Sequence, residues 1–94
     1  MPMQTDVNST HLTASGTVFG GRARLKSVSY RGNGTDGYVR FRDGGSSGPV
    51  LCELDVGTGD VFTIYVLFPG EGIVFQTSIY ADLSNVLAVT VFYG

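Results

Sequence analysis

The chain has 94 residues, eight acids, six cations, one cysteine and a formal net charge of −2. That length makes one domain, and a single cysteine excludes both an intramolecular disulfide framework and a cysteine-based zinc site. The small net charge excludes a polyanion held by bulk attraction, and the lack of an 18-residue apolar run excludes a membrane-spanning helix.

From the N-terminus, Met1 to His11 is mostly polar and aperiodic, with neither the charged start nor the apolar core of a signal peptide. Residues 1–11 read as an extended arm, frayed in isolation or laid across a neighbour in an assembly. The domain proper is expected at residues 12–94, and it is strand and turn throughout. Asn33-Gly34, Asp36-Gly37, Asp43-Gly44 and Pro69-Gly70 break the chain at short intervals. Between them lie runs of Val, Ile, Phe, Tyr and Thr, which suit a pleated, half-buried surface. About eight short strands follow, near Leu12–Phe19, Arg22–Tyr30, Tyr38–Arg42, Val50–Val56, Val61–Phe68, Gly72–Gln76, Ser78–Leu83 and Val86–Tyr93. No stretch has the length and three-to-four spacing of an amphipathic helix. The expected fold is all-β, a small antiparallel β-sandwich with jelly-roll-like topology.

Alternation assigns the faces. In Tyr38–Arg42, Val39 and Phe41 point inward and the arginines outward. In the second strand Ala23 and Leu25 share one phase, and Val28 and Tyr30 the other. A β-bulge near Lys26-Ser27 reconciles them, because one extra residue flips the alternation. Two strands are apolar on both faces. Phe62, Ile64, Val66 and Phe68 oppose Val61, Tyr65 and Leu67, while Val86, Ala88 and Phe92 oppose Leu87, Val89, Val91 and Tyr93. A two-sheet sandwich has one dry layer, so this surplus points to a homo-oligomer or a larger assembly. The pattern of the last strand runs to Tyr93, which places it inside a sheet.

Motifs for chemistry dissolve on inspection. Gly32-Asn33-Gly34-Thr35-Asp36-Gly37 spells a dinucleotide-binding loop, but it leads into a strand, so no helix N-terminus meets a phosphate; it is a hairpin turn. Asp36 and Asp43 precede glycines, which is ordinary turn chemistry rather than a calcium site. His11 is the only histidine and has no acidic neighbour in sequence, and Cys52 lies among apolar residues as a small buried hydrophobe. Glu53 and Asp55 share a strand face as solvated acids. No catalytic residue, metal ligand or cofactor site is assigned, and a non-enzymatic role is expected.

Charge is distributed unevenly. Arg22, Arg24, Lys26, Arg31, Arg40 and Arg42 all fall in residues 22–42, and every charged residue after them is an acid, among them Glu53, Asp55, Asp60, Glu71 and Asp82. Every-second spacing puts Arg22/Arg24/Lys26 on one strand face and Arg40/Arg42 on another. With Tyr30 and Tyr38 interleaved, these are the ingredients of a single-strand nucleic-acid face. The acidic chain as a whole weighs against that reading, and docking onto the acids of a neighbouring subunit is favoured. The candidate interface is therefore Arg22, Arg24, Lys26, Arg40 and Arg42 with Tyr65, Leu67 and Tyr93.

Three segments carry a resemblance: Phe41-Arg42-Asp43-Gly44-Gly45-Ser46-Ser47-Gly48-Pro49-Val50-Leu51, Phe68-Pro69-Gly70-Glu71-Gly72-Ile73-Val74-Phe75, and Tyr80-Ala81-Asp82-Leu83-Ser84-Asn85-Val86 through Val91-Phe92-Tyr93-Gly94. Over residues 12–94 the chain resembles small uncharacterised virion-structural proteins of tailed bacteriophages, especially marine short-tailed ones. The resemblance implies a particle component located in the virion. The expected role is a capsid decoration or cement protein, in contact with the major capsid protein and with copies of itself. A trimer suits the symmetry points of a capsid. The alternative is a tail or fibre module that binds a host-surface receptor or glycan through exposed tyrosines such as Tyr30, Tyr38, Tyr65 or Tyr80.

Overall fold

The computed structural model describes residues 7–59, 63–70 and 72–94. Nine strands make it up: β1 (Asn8–Leu12), β2 (Gly16–Phe19), β3 (Ala23–Gly32), β4 (Gly37–Asp43), β5 (Val50–Val56), β6 (Thr63–Leu67), β7 (Ile73–Phe75), β8 (Ile79–Ser84) and β9 (Val86–Tyr93). They form two antiparallel sheets. Sheet A runs β1-β9-β3-β6, with β7 also on β3, and sheet B runs β2-β8-β4-β5. The pairs β1·β9, β2·β8, β3·β6 and β4·β5 are those of one long hairpin. Rolling that hairpin brings β9 against β3 and β8 against β4. The result is the expected jelly roll.

Boundaries differ from the sequence reading at the start. Residues 12–19 are two strands, because Thr13, Ala14 and Ser15 bend the chain out of sheet A into sheet B. The sandwich also begins at Asn8 rather than Leu12: β1 pairs with β9 from Asn8↔Tyr93 to Leu12↔Val89. Its alternation is concealed by polar residues on the outer side, so it passes for an arm. The first six residues of that expected arm lie outside the described residues, as do Val61 and Phe62 of the expected Val61–Phe68 strand. The corner is tied down locally. The Thr10 hydroxyl donates to the Val18 carbonyl at 3.2 Å, and Leu83 N donates to Ser15 Oγ at 2.8 Å.

The core lies between the sheets. Leu25, Val28, Val39, Phe41, Phe75, Ile79, Ala81 and Val91 are fully buried there. β3 supplies residues of both phases, as its sequence requires. Against β9 the register steps from Leu25↔Tyr93 to Ser27↔Phe92, leaving Lys26 as the extra residue of a bulge. Ala23, Leu25, Val28 and Tyr30 are thereby all buried. A second step, from Arg31↔Ala88 to Gly32↔Val86, leaves Leu87 unpaired and exposed while Val86 packs on the core side. Between β8 and β9 there is only Asn85, at φ 55, a left-handed conformation that asparagine tolerates. Its Nδ2 donates to the Asp36 carbonyl at 2.6 Å, which joins this corner to the β3–β4 turn.

Phe41 tests the core most simply, since it is one of the largest fully buried side chains and belongs to the central strand β4. Phe41→Ala is expected to cost about 3–5 kcal/mol in urea unfolding. That is much of the roughly 5–15 kcal/mol available to a single domain. A loss below about 1 kcal/mol would contradict the packing described.

Candidate interaction surfaces

On the outer face of sheet B the arginines of β4 find partners within the chain, beside Val50 and Leu51 of β5, which are 40% and 42% exposed. Arg40 and Arg42 project from β4 between acids on its two neighbours. Arg40 Nε lies 2.9 Å from Glu53 Oε1 on β5, and Arg42 Nε lies 3.2 Å from Asp82 Oδ2 on β8. The Arg40 guanidinium also stacks over the Tyr38 ring, 3.7 Å from its centroid, and Arg42 Nη1 donates to the Gly48 carbonyl at 3.0 Å. The Glu53 hydrogen bond holds Arg40 above its usual pKa. Such partly exposed pairs are screened by water and add little to stability. Their effect here is to pair both arginines of β4 within the chain, while Asp55 on β5 stays exposed.

The outer face of sheet A is different. Cross-strand partners place Ser9, Phe92, Ser27 and Leu67 in one row, and His11, Thr90, Ser29 and Tyr65 in the next. Small residues on the two central strands form a floor between larger side chains. The result is a groove of about 350 Å³ lined by Val7, Lys26, Ser27, Tyr65, Leu67, Phe68, Gly70, Gly72 and Phe92. A second, smaller hollow of about 190 Å³ is lined by His11, Ser29, Arg31 and Thr90 among others. Tyr65 and Leu67 are 60% and 73% exposed, and Val7 is 52% exposed. Lys26 is the one charged side chain among the described residues of the larger groove. The bulge that turns β3's core residues inward therefore also sets Lys26 and Ser27 at the groove. Gly72 closes its end at φ +95, where a Cβ would run into the Leu25 carbonyl.

These placements revise the expected interface. The cations do not share one interface: Arg24 and Lys26 belong to sheet A, whereas Arg40 and Arg42 belong to sheet B. Arg22 precedes β3 and donates from Nε to Gln76 Oε1 at 3.2 Å. Arg24 exchanges backbone hydrogen bonds with Gly94, at 2.9 and 3.0 Å. The acids expected on a neighbouring subunit, Glu53 and Asp82, are engaged within the same chain. Tyr93 is buried, with its ring tilted 34° against Phe19 at a centroid distance of 5.2 Å. Its phase is that of Val89 and Val91, so it faces the core and not a partner. Tyr65 and Leu67 do share the exposed face. Val7 and Phe92 join them, and their phase relative to Ser9, His11 and Thr90 was the available signal.

The residues weighed for chemistry take structural positions. In the β3–β4 turn, Asn33 Oδ1 accepts from Thr35 N at 3.0 Å and Gly34 has φ 96. Asp36 Oδ1 accepts from Thr58 Oγ1 at 2.7 Å. His11 Nδ1 meets Thr90 Oγ1 at 2.9 Å. Cys52 is half-buried, and burial pushes its thiol pKa up, away from the nucleophilic thiolate. No family model, curated protein or solved structure matches this chain.

Asp43 does identifiable work at the end of β4. Its carboxylate accepts backbone hydrogen bonds from Gln76, Thr77 and Ser78 at 3.0, 2.9 and 3.3 Å, fixing the β7–β8 connection. Those donors, the Thr77 amide foremost, hold its pKa below the ordinary 3.8. A lowered carboxylate contributes stability above its unfolded value and loses it as pH falls through the folded value. Asp43→Asn should therefore lower the melting temperature at neutral pH and flatten its decline below about pH 4. Parallel melting curves for parent and variant down to about pH 2 would show that the bracket contributes nothing.

Proposed function

We propose that this chain is a non-enzymatic structural subunit of a bacteriophage particle, a capsid decoration protein that acts by packing against other proteins. The observation that carries the reading is the asymmetry of the sandwich. One outer face pairs its arginines internally, Arg40 with Glu53 and Arg42 with Asp82, while the other leaves Val7, Tyr65 and Leu67 exposed around an apolar groove. An apolar surface of that kind on a small domain is a contact site. The phage setting comes from the resemblance over residues 12–94, and the groove adds a surface suited to such a role.

Groove chemistry favours a protein partner over a sugar. Glycan recognition pairs an aromatic platform with several polar groups that orient hydroxyls. Of the five tyrosines only Tyr65 is exposed, and the described lining offers no carboxylate or carboxamide beside it. An apolar protein surface bearing an acid to meet Lys26 suits it better. The arginines of sheet B take no part in this docking.

Attachment to the encoding phage's particles tests the proposal. Val7→Ser with Leu67→Ser should weaken attachment ten-fold or more, since full burial of such side chains is worth about 1.5–3 kcal/mol each. Arg40→Gln with Arg42→Gln should leave it within about two-fold. The reverse ranking, or absence of the protein from purified particles, would overturn the reading.

A further inference from the structure

We infer that two copies of this chain pair edge to edge through β6, joining their A sheets into one continuous sheet. This rests on the reading above, that the chain works by contact with copies of itself and other particle proteins, and it names the self-contact. β6 ends sheet A, and among the described residues no strand pairs with its outer side. Edge strands normally carry a lysine, a proline or a bulge that discourages pairing. Thr63-Ile64-Tyr65-Val66-Leu67 has none of these, and its ladder with β3 runs without a register shift.

Charge, length and apolar exposure together single out this edge for self-pairing. Two copies of β5, at the edge of sheet B, would bring Glu53 and Asp55 of each against those of the other. β1 offers Asn, Ser, Thr and His at its exposed edge, and β2 is four residues long with a register shift. β6 brings no charge and the two most exposed large apolar side chains of the described residues. Antiparallel pairing centred on Tyr65 uses all five residues. It sets Tyr65 opposite Tyr65 of the second copy, Leu67 opposite Thr63 and Ile64 opposite Val66. The two-fold axis is then perpendicular to the sheet, so both grooves open on the same side and form one docking face.

A five-residue edge lies below the roughly 1,200 Å² of a standard interface, so the dimer is weak, with a dissociation constant on the order of 100 μM. It is also a different assembly from the trimer suggested by capsid symmetry, and mass distinguishes the two.

Sedimentation velocity on the full chain from ~10 μM to ~1 mM should show monomer passing to dimer. Tyr65→Lys should weaken the dimer at least ten-fold, with the melting temperature unchanged because the site is exposed. In a Cys52→Ser background, Tyr65→Cys should oxidise to a disulfide-linked dimer, since directly opposite Cβ atoms lie about 4.5–5.5 Å apart. Leu67→Cys faces Thr63 of the second copy and should cross-link poorly. A parent chain that stays monomeric at ~1 mM, a trimer, or cross-linking as efficient at position 67 as at 65 overturns the inference. Particle attachment is measured separately, so a monomer that still attaches overturns the edge pairing alone. A correctly cross-linked dimer that does not attach overturns the decoration reading alone.

Discussion

The bulge at Lys26 is the constraint on which the rest of this structure depends. β3 is ten residues long and lies centrally in sheet A, between β9 on one side and β6 with β7 on the other. Its apolar residues change phase halfway, so an uninterrupted strand would send either Ala23 and Leu25 or Val28 and Tyr30 out to water. Inserting one unpaired residue buries all four. The same step leaves Ser27 as a small floor residue between Phe92 and Leu67, with Lys26 at the groove edge. Core and groove are two consequences of one local irregularity.

A second constraint follows from size. A domain of about 90 residues has a thin core and much surface, so each outer face must be made compatible with water or covered by something else. Sheet B meets this with charge. β4 places its arginines between the acids of β5 and β8, and the Tyr38 ring packs beneath Arg40. Sheet A has no such ladder around its groove, where Phe92, Leu67 and Tyr65 border serines and glycines. That contrast is the ground for the proposed docking through sheet A.

Much of this was legible in the residues, and the exceptions have physical causes. Alternation in Tyr38–Arg42 placed Val39 and Phe41 inside, and the phase change in β3 located its bulge, because both signals are local. The doubly apolar pattern of β6 likewise marked Tyr65 and Leu67 as exposed. Alternation cannot say which sheet a strand joins, however, so the cations of β3 and β4 read as one interface although they lie on opposite sides of the sandwich. Nor does it reveal long-range partners: Arg42 meets Asp82 forty residues away. Tyr93 was placed on a contact face because both faces of the last strand are apolar, and only its pairing with Leu25 beside the bulge shows which one is the core. β1 was concealed for the opposite reason, since its exposed residues are polar and its pairing is entirely with the far end of the chain.

The account turns on sheet A's outer face being the side that meets other proteins, and oxidative footprinting of the free and particle-bound protein measures that directly. Tyr65, Leu67 and Phe92 should lose reactivity on binding while Tyr38 and Tyr80, on sheet B, keep theirs. Protection of Tyr38 and Tyr80 with Tyr65 unchanged would contradict it.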